Sequence, residues 1–190
     1  MLVIMNILLL GACIFLLYFP KHKDLLQVER IDVQDKSGHN RIVISNQDQI
    51  PPPLLNGVSY QRQVNPAGLI FYDANGNERG GIALSKKDKM QINALAFDYS
   101  NADAIGLLAI DEAESNYYKA GLTINQKVPS GKVGQNINRI NLSAENGQAS
   151  LEMKDAQEIP RLVLLVDSLG QPSIQLYDAE GKLAKHISLD

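Results

Sequence analysis

Tryptophan is absent, cysteine occurs once, at Cys13, and aromatic residues make up only 6% of the 190 residues. Without indoles, a carbohydrate site built on stacked tryptophan faces is excluded. A lone thiol inside an apolar stretch leaves the folded part of the chain no disulfide, so cysteine usage does not fix the redox compartment. Basic charge is scarce too. Setting Lys21 and Lys23 aside leaves 16 basic against 21 acidic residues, a net of −5. Phosphate recognition needs the opposite balance, which excludes nucleic acid as a partner. Helical periodicity is missing after residue 20, where no segment repeats apolar residues at a spacing of three and four. What is present is ordinary for a globular chain, with 45% hydrophobic and 21% charged residues.

The one long apolar run is Leu2 to Phe19, with Asn6 its only strongly polar residue. As a helix it would span roughly 27 Å, the short end for a bilayer. Pro20 stops it, and Lys21, His22 and Lys23 follow at headgroup level. A cleaved signal peptide would begin with a basic region, which is missing. Leu10-Gly11-Ala12-Cys13 hints at a lipoprotein, yet apolar residues follow the cysteine where a polar tether is expected. An uncleaved anchor fits both facts. The division is then a transmembrane anchor over 1–20, a linker over 21–27 and one β domain over 28–190. The protein is read as single-pass, touching the membrane through residues 2–19. Its domain is placed outside the cytoplasm, although the two lysines bias orientation the other way.

The rest of the chain is a succession of hairpins. Gly68-Leu-Ile-Phe-Tyr-Asp73 climbs to Asp73-Ala-Asn-Gly76, and Ile82 and Leu84 return at period two. Aspartate and asparagine bond local backbone, and Gly76 supplies the positive φ of a tight turn. Alternation marks Val28–Asp35, and Arg41–Ser45 returns after Lys36-Ser37-Gly38. Pro51, Pro52 and Pro53 cannot join a ladder and read as a surface loop. Ala104–Ile110 and Tyr118–Ile124 form a further hairpin around Asp111, and Asn138 onward is a meander. Asp35, Asp73 and Asp111 stand 38 residues apart twice, which raises a structural repeat beside the simpler reading of independent hairpins. The fold class is all-β, with about ten to twelve antiparallel strands closing into a barrel or sandwich.

Reactive constellations are thin. His22, His39 and His186 lack metal spacing and read as solvated surface. Asp73-Ala-Asn75-Gly-Asn77-Glu78 opens like a calcium loop but lacks its sixth-position glycine and terminal glutamate, so it reads as a turn. No catalytic, metal or cofactor site is assigned. Candidate binding residues are Arg41, Asn46, Glu78 and Asp98, each at a strand end or just past a turn, where β scaffolds carry binding groups. The plainer alternative is that they are exposed charges and turn caps.

Arg41-Ile-Val-Ile-Ser-Asn46, Pro66-Ala-Gly-Leu-Ile-Phe71 with Gly76-Asn-Glu78-Arg-Gly80-Gly81, and Phe97-Asp98 resemble a family of uncharacterised bacterial membrane-anchored β proteins. The resemblance implies an envelope-associated β protein and carries no activity, ligand or catalytic residue. The loop at Pro51–Pro53 and the segment between Gly121 and Asn138 look shortened beside that family. The function expected is a membrane-tethered, non-catalytic β domain that binds an envelope partner or small ligand. Two alternatives remain: a carboxylate-based hydrolase using a pair among Asp73, Glu78 and Asp98, and a module that self-associates through strand edges.

Overall fold

A computed structural model describes residues 5–6, 9–11, 25–129 and 131–188. In chain order the strands are β1 (Arg30–Gln34), β2 (Asn40–Ser45), β3 (Leu54–Leu55), β4 (Val58–Ser59), β5 (Ala67–Tyr72), β6 (Glu78–Lys87) and β7 (Met90–Asp98). They continue as β8 (Asp103–Glu112), β9 (Tyr117–Lys127), β10 (Asn136–Glu145), β11 (Gln148–Lys154), β12 (Pro160–Val166), β13 (Pro172–Tyr177) and β14 (Leu183–Ser188). Twelve of them form one antiparallel sheet in simple meander order, and β3 and β4 make a small separate hairpin. Residues 25–188 contain no helix among those described.

The all-β reading therefore holds, but the expected closure into a barrel or sandwich does not. The ladder ends at β1 on one side and β14 on the other, with no pairing between them. Apart from the 46–66 loop between β2 and β5, connections of two to five residues, and one of eight between β9 and β10, join neighbouring strands, so the meander adds strands sideways without supplying a second layer. The single-pass anchor is also corrected. Among the described residues no helix is long and apolar enough to cross a membrane. Of the expected span only Met5, Asn6 and Leu9–Gly11 are described, and they are helical. The remainder of 1–24 lies outside the described residues.

The turns share one device. At Asp35, Asp73, Asp155, Asp167 and Asp178 the carboxylate accepts the backbone N–H groups two and four residues on, at 2.8–3.0 Å. The residue three places after the aspartate has positive φ: glycine in four cases, Glu158 in the fifth. Gly76, at φ 76°, is the turn glycine the sequence marks out. Repetition is thus of turn chemistry at uneven spacing, and Asp111 is no member, since it lies inside β8 opposite Tyr118.

Side chains alternate between two unlike faces. On one, Ile31, Ile44, Leu69, Ile82, Leu95, Leu107, Leu122, Leu142, Leu151, Leu164, Ile174 and Ile187 stand opposite one another, one from each strand of the sheet. This aliphatic row runs ~53 Å at the usual ~4.8 Å between strands. Beside it on the same face runs a second row, small at its centre in Ala109, Ala120, Ala144 and Ala149 and larger on either side in Leu84, Asn93 and Val166. On the other flank run Phe97, Ile105, Ile124, Ile140, Met153, Leu162 and Leu176. Gly80 interrupts that flank between Phe71 and Phe97, whose rings stack with centroids 5.9 Å apart. Its φ of 122°, and the collision an added Cβ would make with the Ala96 carbonyl, reserve the position for glycine.

The opposite face is mixed. The loop over residues 46–66 folds across it near β2 and β5, and there Ile50 packs on Val43, Ile70 and Tyr72. Those three are the buried apolar side chains among the described residues. Further along, this face carries Lys119, Glu145, Asn141 and Glu152. Lys119 Nζ donates to Glu145 at 2.7 Å, and Asn141 Nδ2 to Glu152 at 2.9 Å.

Candidate functional site

Two places stand out, a polar cluster beneath the 46–66 loop and the apolar face behind it. The cluster gathers where β5, β6 and β7 end. Tyr72 and Glu78 are opposite each other across a bulge, which turns Glu78 under the loop. Arg62, carried by the loop, grips Glu78 with two bonds: Nη1 to Oε1 at 3.2 Å and Nη2 to Oε2 at 2.5 Å. Its Nε donates to the Pro51 carbonyl at 2.9 Å, so one guanidinium ties both ends of the loop to the sheet. Asn77 helps by accepting the Gly57 N–H at 2.8 Å.

Asp98 completes the cluster. Burial, then the neighbouring Asp103 carboxylate and then Glu78, push its carboxyl up to about 7. Its Oδ1 is buried without a hydrogen-bond partner, as is the Tyr72 hydroxyl. Burial likewise drives the Tyr72 phenol up to about 12, with Glu78 adding to the effect.

The four sequence candidates divide. Glu78 and Asp98 are brought together, since Glu78 is among the charges acting on Asp98. Arg41 is the second residue of β2, on the face that Val43 also occupies, its Nε buried and unpartnered and its Nη1 4.0 Å from Asp35. Asn46 sits past the opposite end of β2, where its Oδ1 accepts the N–H groups of Asp48 and Gln49 at 3.1 and 3.0 Å. It is a turn cap. Arg62, Tyr72, Asn101 and Asp103 escape sequence reasoning. Arg62 lies in a proline-rich loop without period, and Asn101 earns its place through two distant carbonyls, those of Lys132 at 3.2 Å and Gln135 at 2.7 Å.

Chemically the cluster is closed. Both Glu78 oxygens are taken by Arg62, and Asp73 is held by its own turn and by Arg79 Nη2 at 2.6 Å. The nearest cavity, about 340 Å³, is lined by Gln34, His39, Pro51 and Tyr72 rather than by Glu78 or Asp98. The arrangement ties down a loop, and the carboxyl pair it leaves outside these ion pairs is Asp98 with Asp103.

The apolar face differs in every respect. Leu107 and Leu142, at its centre, are 51% and 50% exposed. Two adjoining troughs of about 630 and 550 Å³ run along it, with Leu142 and Ala149 common to both. Their lining contains no charged side chain. No protein-family model matches this chain, and no curated protein matches it.

Proposed function

We propose that the chain is a non-catalytic interaction module whose working surface is the bare apolar face of its sheet, and whose partner is a protein layer of equally uncharged, apolar surface. The observation that carries this is the unbroken aliphatic row across all twelve strands. Monomeric proteins rarely leave contiguous apolar patches beyond a few hundred Å² open to water. A sheet with one apolar face buries it against another layer, and none of the described residues provides one. A small ligand fits less well. Binding sites enclose about 70–90% of a ligand's surface, and a single sheet touches only one side of it. A spanning role in lipid is disfavoured by the open edges of β1 and β14, whose backbone groups would lie unpaired in hydrocarbon.

The test is thiol accessibility in the full chain with Cys13 replaced by serine, measured in the intact cells that make it, where its partner is present. Leu107→Cys and Leu142→Cys should each react with a maleimide at least tenfold more slowly than Ala179→Cys on an exposed turn. Equal rates at all three positions would leave the face uncovered and remove this reading.

A further inference from the structure

We infer that the layer over the apolar face is a second copy of this chain, packed face to face about a twofold axis that runs along the sheet between the aliphatic row and the alanine row. The inference rests on the interaction reading above and names its partner.

Complementarity between the two rows comes first. A twofold axis along the sheet lays each strand over its own counterpart and exchanges the two rows, so each row meets the other. On the four central strands, β8 to β11, large then faces small: Leu107 over Ala109, Leu122 over Ala120, Leu142 over Ala144 and Leu151 over Ala149. Such alternation is how facing layers interdigitate without voids. Leu122 and Ala120 belong to the same strand, as do the other three pairs, so one chain carries both halves of the fit.

Area and charge point the same way. Counting only β6 to β13, the two rows that the axis exchanges cover about 34 Å by about 14 Å, or roughly 480 Å² per copy. A pair then buries roughly 950 Å² of this face, close to the ~1,000 Å² that a specific interface clears. Aligned sheets pack ~10 Å apart at about 30° to each other, an angle the natural twist supplies. The troughs hold no charge that a partner of opposite sign could read, and an uncharged face is one that a copy of itself does not repel.

Edge pairing, the other route to self-association, is guarded against. Lys185 on the outermost strand β14 ends the flanking apolar row with a charge, opposite Leu176. Arg30 and Asp32 occupy the β1 edge, linked at 2.5 Å. Charged side chains on edge strands are the usual defence against edge-to-edge growth.

Obligate pairing also fits the small interior. With Val43, Ile70 and Tyr72 as the buried apolar side chains, the described chain has little core of its own. A stoichiometric second layer supplies what a transient partner would not.

The deciding experiment measures the mass of the full chain by light scattering at micromolar concentration, together with the thiol rates at positions 107 and 142. We expect a particle of twice 20.9 kDa with both thiols protected. Mixing Leu142→Cys chains with Ala144→Cys chains, each carrying Cys13→Ser, should give dimers joined by a short bis-maleimide. Either variant alone should give at least fivefold fewer. A monomer with freely reacting thiols would overturn the second copy and leave the interaction reading standing, its face open to another protein. A monomer with protected thiols would mean that the chain covers its own face and would overturn both, and a dimer with freely reacting thiols would place the contact elsewhere and overturn the second copy on this face. Leu107→Glu with Leu142→Glu should abolish the dimer. Since that variant can fail by unfolding, the mass and crosslinking of the folded single-cysteine chains decide the matter.

Discussion

Strands β2 and β5 lie under the 46–66 loop, whereas β8 to β13 carry equally regular strands with no layer over them among the described residues. In the first region Val43 is fully buried, and a buried arginine–glutamate pair fastens the cover. In the second, backbone ladders and a solvated polar network do the holding, and apolar side chains half-exposed on one face have nothing to pack on. The difference lies in one insertion. Every other connection in the sheet is two to eight residues long, enough to extend a sheet but not to fold over it. A single loop of about 20 residues is what gives the chain its own small interior.

The sharpest way to break that comparison is to cut the cover loose. Arg62→Met leaves Glu78 buried beside Tyr72 without its partner, and such a loss costs about 3–5 kcal/mol. Urea unfolding followed by circular dichroism should show it as a large drop in midpoint. Replacing Glu78 as well, by leucine, should recover part of the loss, because the uncompensated charge is then gone. A midpoint unchanged in Arg62→Met would mean that the loop does not depend on this pair.

Next comes the core under the loop. Ile70 is 4% exposed, and Ile70→Ala should cost about 2–4 kcal/mol through lost burial and the cavity left behind. Leu165→Ala, on the same face but beyond the loop and half-buried, should cost about 1 kcal/mol or less in the same experiment. Equal costs would erase the distinction between a covered and an uncovered region.

The sequence made the strands and turns legible because their signals are local. Alternation places Ile42, Ile44 and their neighbours on one face, and Asp73-Ala-Asn-Gly76 announces its turn by residue type alone. Closure was not legible, since whether β14 meets β1 depends on accumulated twist and curvature that no short window contains. The aliphatic row was legible only in fragments. Leu107 and Leu122 look like any alternating residues until register sets them side by side. Among the candidates, Glu78 and Asp98 come together because a bulge and a hairpin bring two strand ends to one place. Asn46 was a cap throughout, its side-chain oxygen occupied by the N–H groups of Asp48 and Gln49. Arg62 could not be found, because its partner stands 16 residues away across a loop without pattern.

A smaller effect separates turns from cover. Gly76→Val places a β-branched side chain at φ 76° and should cost about 1–3 kcal/mol, read as a fall in unfolding midpoint. The penalty is conformational, since an added Cβ would meet only the His39 ring at an ordinary 3.5 Å. Asn75→Ala should cost less, because the Asp73 turn keeps its other bonds. A midpoint equal to wild type in Gly76→Val would remove backbone conformation as the reason for glycine there.

The gentlest probe is pH, because the two regions carry carboxyls displaced in opposite directions. In the turns, the His39 and Ser37 amides hold the Asp35 carboxyl below its ordinary value. At Asp73 and Asp155 burial pushes upward, and the turn amides with Arg79 and Arg161 outweigh it. Their contribution is present above the unfolded value near 4 and is lost as pH falls below it. Asp98 runs the other way. Raised to about 7, it binds a proton in the folded state that the unfolded chain has already released, so stability declines as pH climbs from about 4 through 7. The protein should therefore be most stable at about pH 4 to 5, where the turn carboxylates have ionised and the loss through Asp98 has only begun. Asp98→Asn cannot ionise and should abolish the decline on the alkaline side, leaving the acid side unchanged. After screening by the water that reaches this partly buried group, the difference between pH 5 and pH 8 should be on the order of 1 kcal/mol. Thermal melts of both proteins at those two pH values decide it. Parallel slopes in wild type and variant would mean that Asp98 ionises without cost and that the cluster under the loop is wetter than its burial implies.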